Sequence, residues 1–181
     1  SLPQPDCAVC SPQYSCSGDP GGGSPDSYNE IEAGIQWIGN LSDYCINEEN
    51  MVIVGHSAGD HLALLADIDF PDSDAVAGLG GITNIVTYAA GTNDCETTTL
   101  LLRGSTFAPA KELYQKADPV GLNLHSRSQL FHGTVDSIVN VSQSIFANAT
   151  TSGLTEASHF DWIHSGLEAF QLLPGSLEKL F

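Results

Sequence analysis

Residues 51–66 read MVIVGHSAGDHLALLA. The first four are continuously apolar, the pattern of a strand buried on both faces. From 58 to 67 the spacing predicts a helix, with Leu62, Leu64 and Leu65 turned inward. Between strand and helix lies Gly55-His56-Ser57-Ala58-Gly59. A serine on so sharp a turn sits on strained backbone, and the residues two before and two after it must be small. Gly55 and Gly59 give that clearance. Ser57 is therefore a candidate nucleophile. The backbone N–H of Ala58, at the helix N-terminus, is a candidate donor to an oxyanion.

Outward from this stretch, AVAGLGGI (75–82) and SQLFHG (128–133) read as further buried strands, and AVCSPQY (8–14) as a short one. SYNEIEAGIQWIGNLSDYC (27–45) has Ile31, Ile35, Trp37 and Ile38 on a helical period. Ser27 stands as its N-cap, with Glu30 at capping-box spacing. PAKELYQKA (109–117) predicts a helix, and SIVNVSQSIFANAT (137–150) a loop and then a helix. SGLEAFQLL (165–173) closes the chain as a helix with Pro174 just beyond. Apolar strands alternating with helices predict an α/β fold, a mainly parallel sheet flanked by helices. A single domain over 1–181 is expected, opened by a Cys/Pro/Gly-rich segment, 1–27.

A nucleophilic serine needs a base, and the base an orienting acid. Asp136 follows the predicted strand SQLFHG within HGTVDSIV, on a loop at that strand's carboxyl end. His159, in TEASHFDWI, lies downstream on another loop. The order Ser, Asp, His is that of one known triad arrangement. Taken singly, Asp136 also reads as a turn aspartate and His159 as a structural histidine. His164 is a rival base, His56 and His132 read as structural, and the motifs assign no role to His61 or His125.

These motifs resemble the alpha/beta-hydrolase superfamily, in particular its hormone-sensitive-lipase-like and acetyl-esterase or arylformamidase-like carboxylesterases. GHSAGDHLALLA resembles their nucleophile elbow, AGIQWI the helix before it and AVAGLGGITNI the next strand. LFHGTVDSIVNVSQS resembles their acid loop and SHFDWI their histidine loop. The resemblance implies Ser57 as nucleophile, Asp136 as orienting acid and His159 as general base. It departs in three places. Asp60 stands where the family has a second glycine, and its charge at a helix N-terminus would favour the helix by about 0.3–1 kcal/mol while lying near the oxyanion site. The segment from Asp136 to His159 is short for a full helix and strand. About three strands and an HGGG-type oxyanion loop are expected before AVCSPQY, so a truncated or minimal fold is implied; Gly21–Gly23, after that segment, reads as a flexible loop, with a substitute oxyanion donor as the alternative.

Only five Lys and Arg oppose 22 Asp and Glu, for a net charge of −17. Such a surface repels nucleic acid and anionic membranes, and no basic patch is present. No segment has the ~20 apolar residues a membrane span requires. Cysteines stand at 7, 10, 16, 45 and 95. The first three lack a nearby histidine as fourth zinc ligand, so disulfides in an oxidising compartment are the expectation and a metal is not. Sequons at Asn40, Asn140 and Asn148 agree with a secreted or lumenal location.

Two functions follow as expectations. One is a serine hydrolase cleaving small carboxylic esters through an acyl-enzyme, without a cofactor. The other is a catalytically weak or inactive hydrolase-like subunit, whose exposed sheet edge a protein partner covers.

Overall fold

The computed structural model describes residues 8–41, 50–90, 110–124, 127–145 and 149–180. Contacts within the chain group it into two compact units, Ser1–Glu49 with Ile85–Ala117, and Asn50–Asn84 with Asp118–Phe181.

The first unit holds three of the described helices: α1 (Asp26–Ile38), α3 (Ile85–Ala89) and α4 (Lys111–Lys116). The capping box expected at Ser27 is not formed. The N-cap is Pro25, and Ser27 lies buried inside the first turn. Its hydroxyl donates to the Ser15 carbonyl and accepts from Gly23 N–H. Glu30 turns to Ser15 as well, accepting from its N–H and its hydroxyl. Both residues thus pin the Cys/Pro/Gly-rich segment onto α1 rather than closing the helix end. Residues 8–14 form no strand. Pro12 cannot donate to a ladder, and residues 8–13 are exposed. On α1, Ile31 is buried but Trp37 is 61% exposed, so the helical period overstates the inward face. Ile85, Ala110, Tyr114 and Ala117 form a small core between α3 and α4.

The second unit is a four-stranded sheet in the order β1-β2-β3-β4, with β1 Val52–His56, β2 Ala75–Leu79, β3 Gln129–Gly133 and β4 Thr150–Leu154. Every pairing is parallel. The α/β class and parallel sheet expected from the sequence are therefore present. Helix α2 (Ala58–Asp69) connects β1 to β2 and packs on both. Ala63 and Leu64 of α2 meet Val76, Leu130 and Leu124 in the core, with Ile53 against them. Leu62 is buried as expected, and Leu65 half-buried.

Two elements differ from expectation. Residues 137–150 hold no helix among those described. A single 3₁₀ turn, Val141–Ser144, is capped by Asn140, whose side chain accepts from Ser142 N–H. The chain then enters β4, TTSGL, an edge strand of small and polar residues that carries no apolar run. The final helix, α5 (Glu168–Leu177), runs through Pro174 instead of stopping before it. Ala169, Leu173 and Leu177 are buried at a spacing of four, and that continuous stripe carries the helix past one missing N–H.

Cys10 and Cys16 are free and exposed. Cys7, Cys45 and Cys95, like His125 and the sequon Asn148, fall outside the described residues. No described helix is long and apolar enough to cross a membrane.

Candidate active site

The three predicted triad residues all follow the carboxyl ends of parallel strands in the second unit. Ser57 comes directly after β1, Asp136 three residues after β3 and His159 five residues after β4. That end of a parallel sheet is where α/β folds place their ligands.

Ser57 has φ 56° and ψ −119°, a left-handed conformation rare for a side chain larger than hydrogen. Such a backbone costs about 1–3 kcal/mol and persists only where its surroundings enforce it. Here they do. The Ser57 N–H donates to the Leu79 carbonyl, extending the β1–β2 ladder past the strand end, and its carbonyl accepts from Asp60 N–H. A Cβ on Gly55 would collide with the Gly59 carbonyl, so the elbow closes only around glycine at 55. Although Ser57 is the N-cap of α2, its side chain makes no capping bond and the hydroxyl is not consumed by the helix. With the Ser57 N–H spent on Leu79, Ala58 offers the next backbone N–H, in the first turn of α2, where helix amides lack partners.

Asp136 and His159 are brought together directly. His159 Nδ1 lies 2.8 Å from Asp136 Oδ2, with both side chains buried. Asp136 Oδ1 accepts from the N–H groups of Ile138 and Val139 at 2.9 and 2.8 Å. The carboxyl group is thus fixed on both oxygens. A carboxylate beside Nδ1 selects the Nδ1–H tautomer and leaves Nε2 as the basic nitrogen of His159. His132 is buried next to the pair, donating Nε2–H to the Val139 carbonyl at 3.0 Å, so it braces the turn that carries Asp136. Gly80, after β2, faces both groups: a Cβ there would lie 3.3 Å from Asp136 Oδ2 and from His159 Nδ1. His164 is exposed and accepts from Gly166 N–H within its own turn.

No hydrogen bond joins the Ser57 hydroxyl to His159 among the described residues. The link between them runs through His56, whose Nε2 lies 2.9 Å from the His159 carbonyl and whose ring packs on the His159 ring. Catalytic bonds of this kind are often long without substrate and tighten when it binds.

Asp60 overturns its expectation. It is completely buried, and neither oxygen has a hydrogen-bond partner among the described residues. Its carboxyl fills space left by Gly78 and Gly81, where a Cβ would overlap it. Burial raises its pKa from 3.8 to about 8, so at neutral pH it is a neutral acid and places no negative charge beside the elbow. Two of the three glycines in AVAGLGGI, Gly78 and Gly81, were the available signal: they clear room for a side chain on the facing helix. Among the described residues no cluster of His, Cys, Asp and Glu is arranged to hold a metal ion.

An open parallel sheet with a strained serine at the β1–α2 elbow and a buried Asp–His pair on neighbouring strand ends defines an alpha/beta-hydrolase-like protein. The sequence match is more specific. The family model BD-FAE covers residues 1–150, and the chain belongs to that family. No curated protein matches it. Among solved structures, it is similar to a truncated carbohydrate esterase from gut microbiota (TM-score 0.71, 17% identity, 87% of this chain and 69% of that one). It is also similar to an acetyl ester-xyloside bifunctional hydrolase from Caldicellulosiruptor lactoaceticus (0.68, 18%, 88% and 66%). An acylaminoacyl peptidase from Pyrococcus horikoshii matches at 0.70 and 17% identity, over 85% of this chain but only 28% of its own.

Proposed function

We propose that the protein is a serine hydrolase that cleaves short-chain carboxylic esters through an acyl-enzyme. The observation that carries this reading is the buried Asp136–His159 hydrogen bond, set after strands of the same parallel sheet whose β1 leads into the positive-φ Ser57. Ser57 Oγ attacks the ester carbonyl while His159 Nε2 takes its proton, and Asp136 holds the imidazole and stabilises the imidazolium. The Ala58 N–H donates to the oxyanion of the tetrahedral intermediate. Collapse of the intermediate breaks the bond to the leaving alcohol oxygen, to which His159 returns the proton; His159 then takes a proton from the water that attacks the acyl-enzyme and gives it to Ser57 Oγ as the acid departs. This chemistry needs no metal or organic cofactor.

The carbohydrate esterase and the acetyl ester-xyloside bifunctional hydrolase among the similar structures favour a small acyl group on a sugar hydroxyl. Exposed sequons at Asn40 and Asn140 support a secretory route, and the strongly acidic surface suits it. β1 lies at one edge of the described sheet with Val54 43% exposed, a surface for a covering strand or protein partner.

A fluorophosphonate probe followed by intact-mass measurement tests the reading. One adduct is expected on the folded protein and none on Ser57→Ala. Folded wild-type protein that stays unlabelled and inert toward p-nitrophenyl acetate would leave the interaction-subunit reading in its place.

A further inference from the structure

His56 ends β1 and immediately precedes Ser57. Its Nε2 lies 2.9 Å from the main-chain oxygen of His159. A carbonyl oxygen only accepts, so that nitrogen bears the hydrogen and His56 is the Nε2–H tautomer. The two imidazole rings approach to 4.7 Å between centroids. Phe160 closes against both, 5.8 Å from His56 and edge-on to His159 at 5.0 Å. Burial pushes the His56 pKa below the ordinary histidine value, opposed in part by its bond to His159, so near neutral pH it is an uncharged donor.

Among the described residues the His159 side chain makes one hydrogen bond, from Nδ1 to Asp136, and is otherwise held by ring packing. One side-chain bond does not fix where Nε2 stands if the main chain of His159 moves. The rest of the loop is held elsewhere: Val135 N–H donates to the Ala157 carbonyl at 3.2 Å, and Ser158 donates to Asp161 through its N–H and hydroxyl. These bonds secure the loop to the turn after β3 and to itself. The His56 bond is different, because it starts on the strand that leads directly into the serine.

We infer that His56 is a positioning residue, tying the main chain of His159 to the end of the nucleophile strand and so setting where His159 Nε2 stands relative to Ser57. Its catalytic consequence rests on the esterase reading above; the positioning itself is read without activity.

Nitrogen-15 NMR of the whole chain is the first measurement. His56 in the Nε2–H tautomer is expected, together with a far-downfield His159 Nδ1–H proton bonded to Asp136. His56→Phe keeps a ring against His159 but removes the donor, and His56→Gln restores an N–H at similar reach. In His56→Phe the downfield signal should broaden or vanish. Its kcat on p-nitrophenyl acetate should drop about 10- to 100-fold, the scale of a misplacement near 1 Å. KM should stay within about twofold, because substrate contacts are untouched. His56→Gln should recover most of both readouts. An Nδ1–H tautomer at His56 in the wild type overturns the inference, even if no variant folds. So does a downfield signal that persists in folded His56→Phe, whatever the rate. An inert wild type would sink the esterase reading alone, with the NMR comparison still deciding the role of His56.

Discussion

At the scale of one residue, Ser57 carries a conflict between stability and chemistry. Its φ of 56° suits glycine, while the nucleophile proposed for this position requires a side chain. Ser57→Ala removes the hydroxyl but keeps the Cβ, so the strain stays. Ser57→Gly removes both. Both variants should be inert toward esters, yet Ser57→Gly should be more stable than Ser57→Ala by about 1 kcal/mol in urea unfolding. Equal stabilities would mean that the elbow is not strained in solution. The same logic explains the ladder bond from Ser57 N–H to the Leu79 carbonyl, which holds the strained residue against the sheet.

At the scale of elements, the fit of α2 onto β2 depends on Asp60 filling the space beside Gly78 and Gly81. A methyl at either glycine would overlap the carboxyl group. Gly81→Ala should therefore destabilise the fold by about 1–3 kcal/mol, the usual cost of overpacking. In Asp60→Gly the carboxyl is gone, so adding Gly81→Ala there should cost much less. A double-mutant cycle by denaturant unfolding would show this coupling, whereas independent costs would mean that the two sites do not share the space. β4 makes the complementary point about elements. TTSGL has no apolar run, yet its pairing with β3 sets the position of the loop that carries His159.

At the scale of the whole molecule, burial of an acid links stability to pH. Asp60 titrates near 3.8 when the chain is unfolded and at about 8 when folded. Below pH 4 both states hold the proton and there is no penalty. Between pH 4 and 8 the unfolded chain releases a proton that the folded one keeps, so stability falls as pH rises, and above 8 the loss is complete. The full effect is on the order of 5 kcal/mol. Asp60→Asn lacks this slope. Its melting temperature should gain on the wild type steadily from pH 4 to 8, and a constant gap would show that Asp60 is not protonated in the fold. The comparison at each pH also cancels the self-repulsion of a chain with net charge −17.

Local pattern alone carries the α/β class, three of the four described strands and the order in which Ser57, Asp136 and His159 arrive. Each leaves a local trace: a short apolar run, small residues around a serine, a polar residue just past a strand. Such traces survive because buried strands and sharp turns restrict which residues can stand in them. Tertiary structure alone decided the rest. Ser27 and Glu30 have capping-box spacing, but their hydrogen bonds go to Ser15, a partner no periodicity reveals. Asp60 reads as a surface charge at a helix start until the glycines of β2 and its following loop close around it and remove its water. His56 occupies the variable place in the elbow motif, and its bond to His159 spans 103 residues of sequence. Local pattern records how a segment meets water or core, whereas these roles depend on which distant group folding brings alongside.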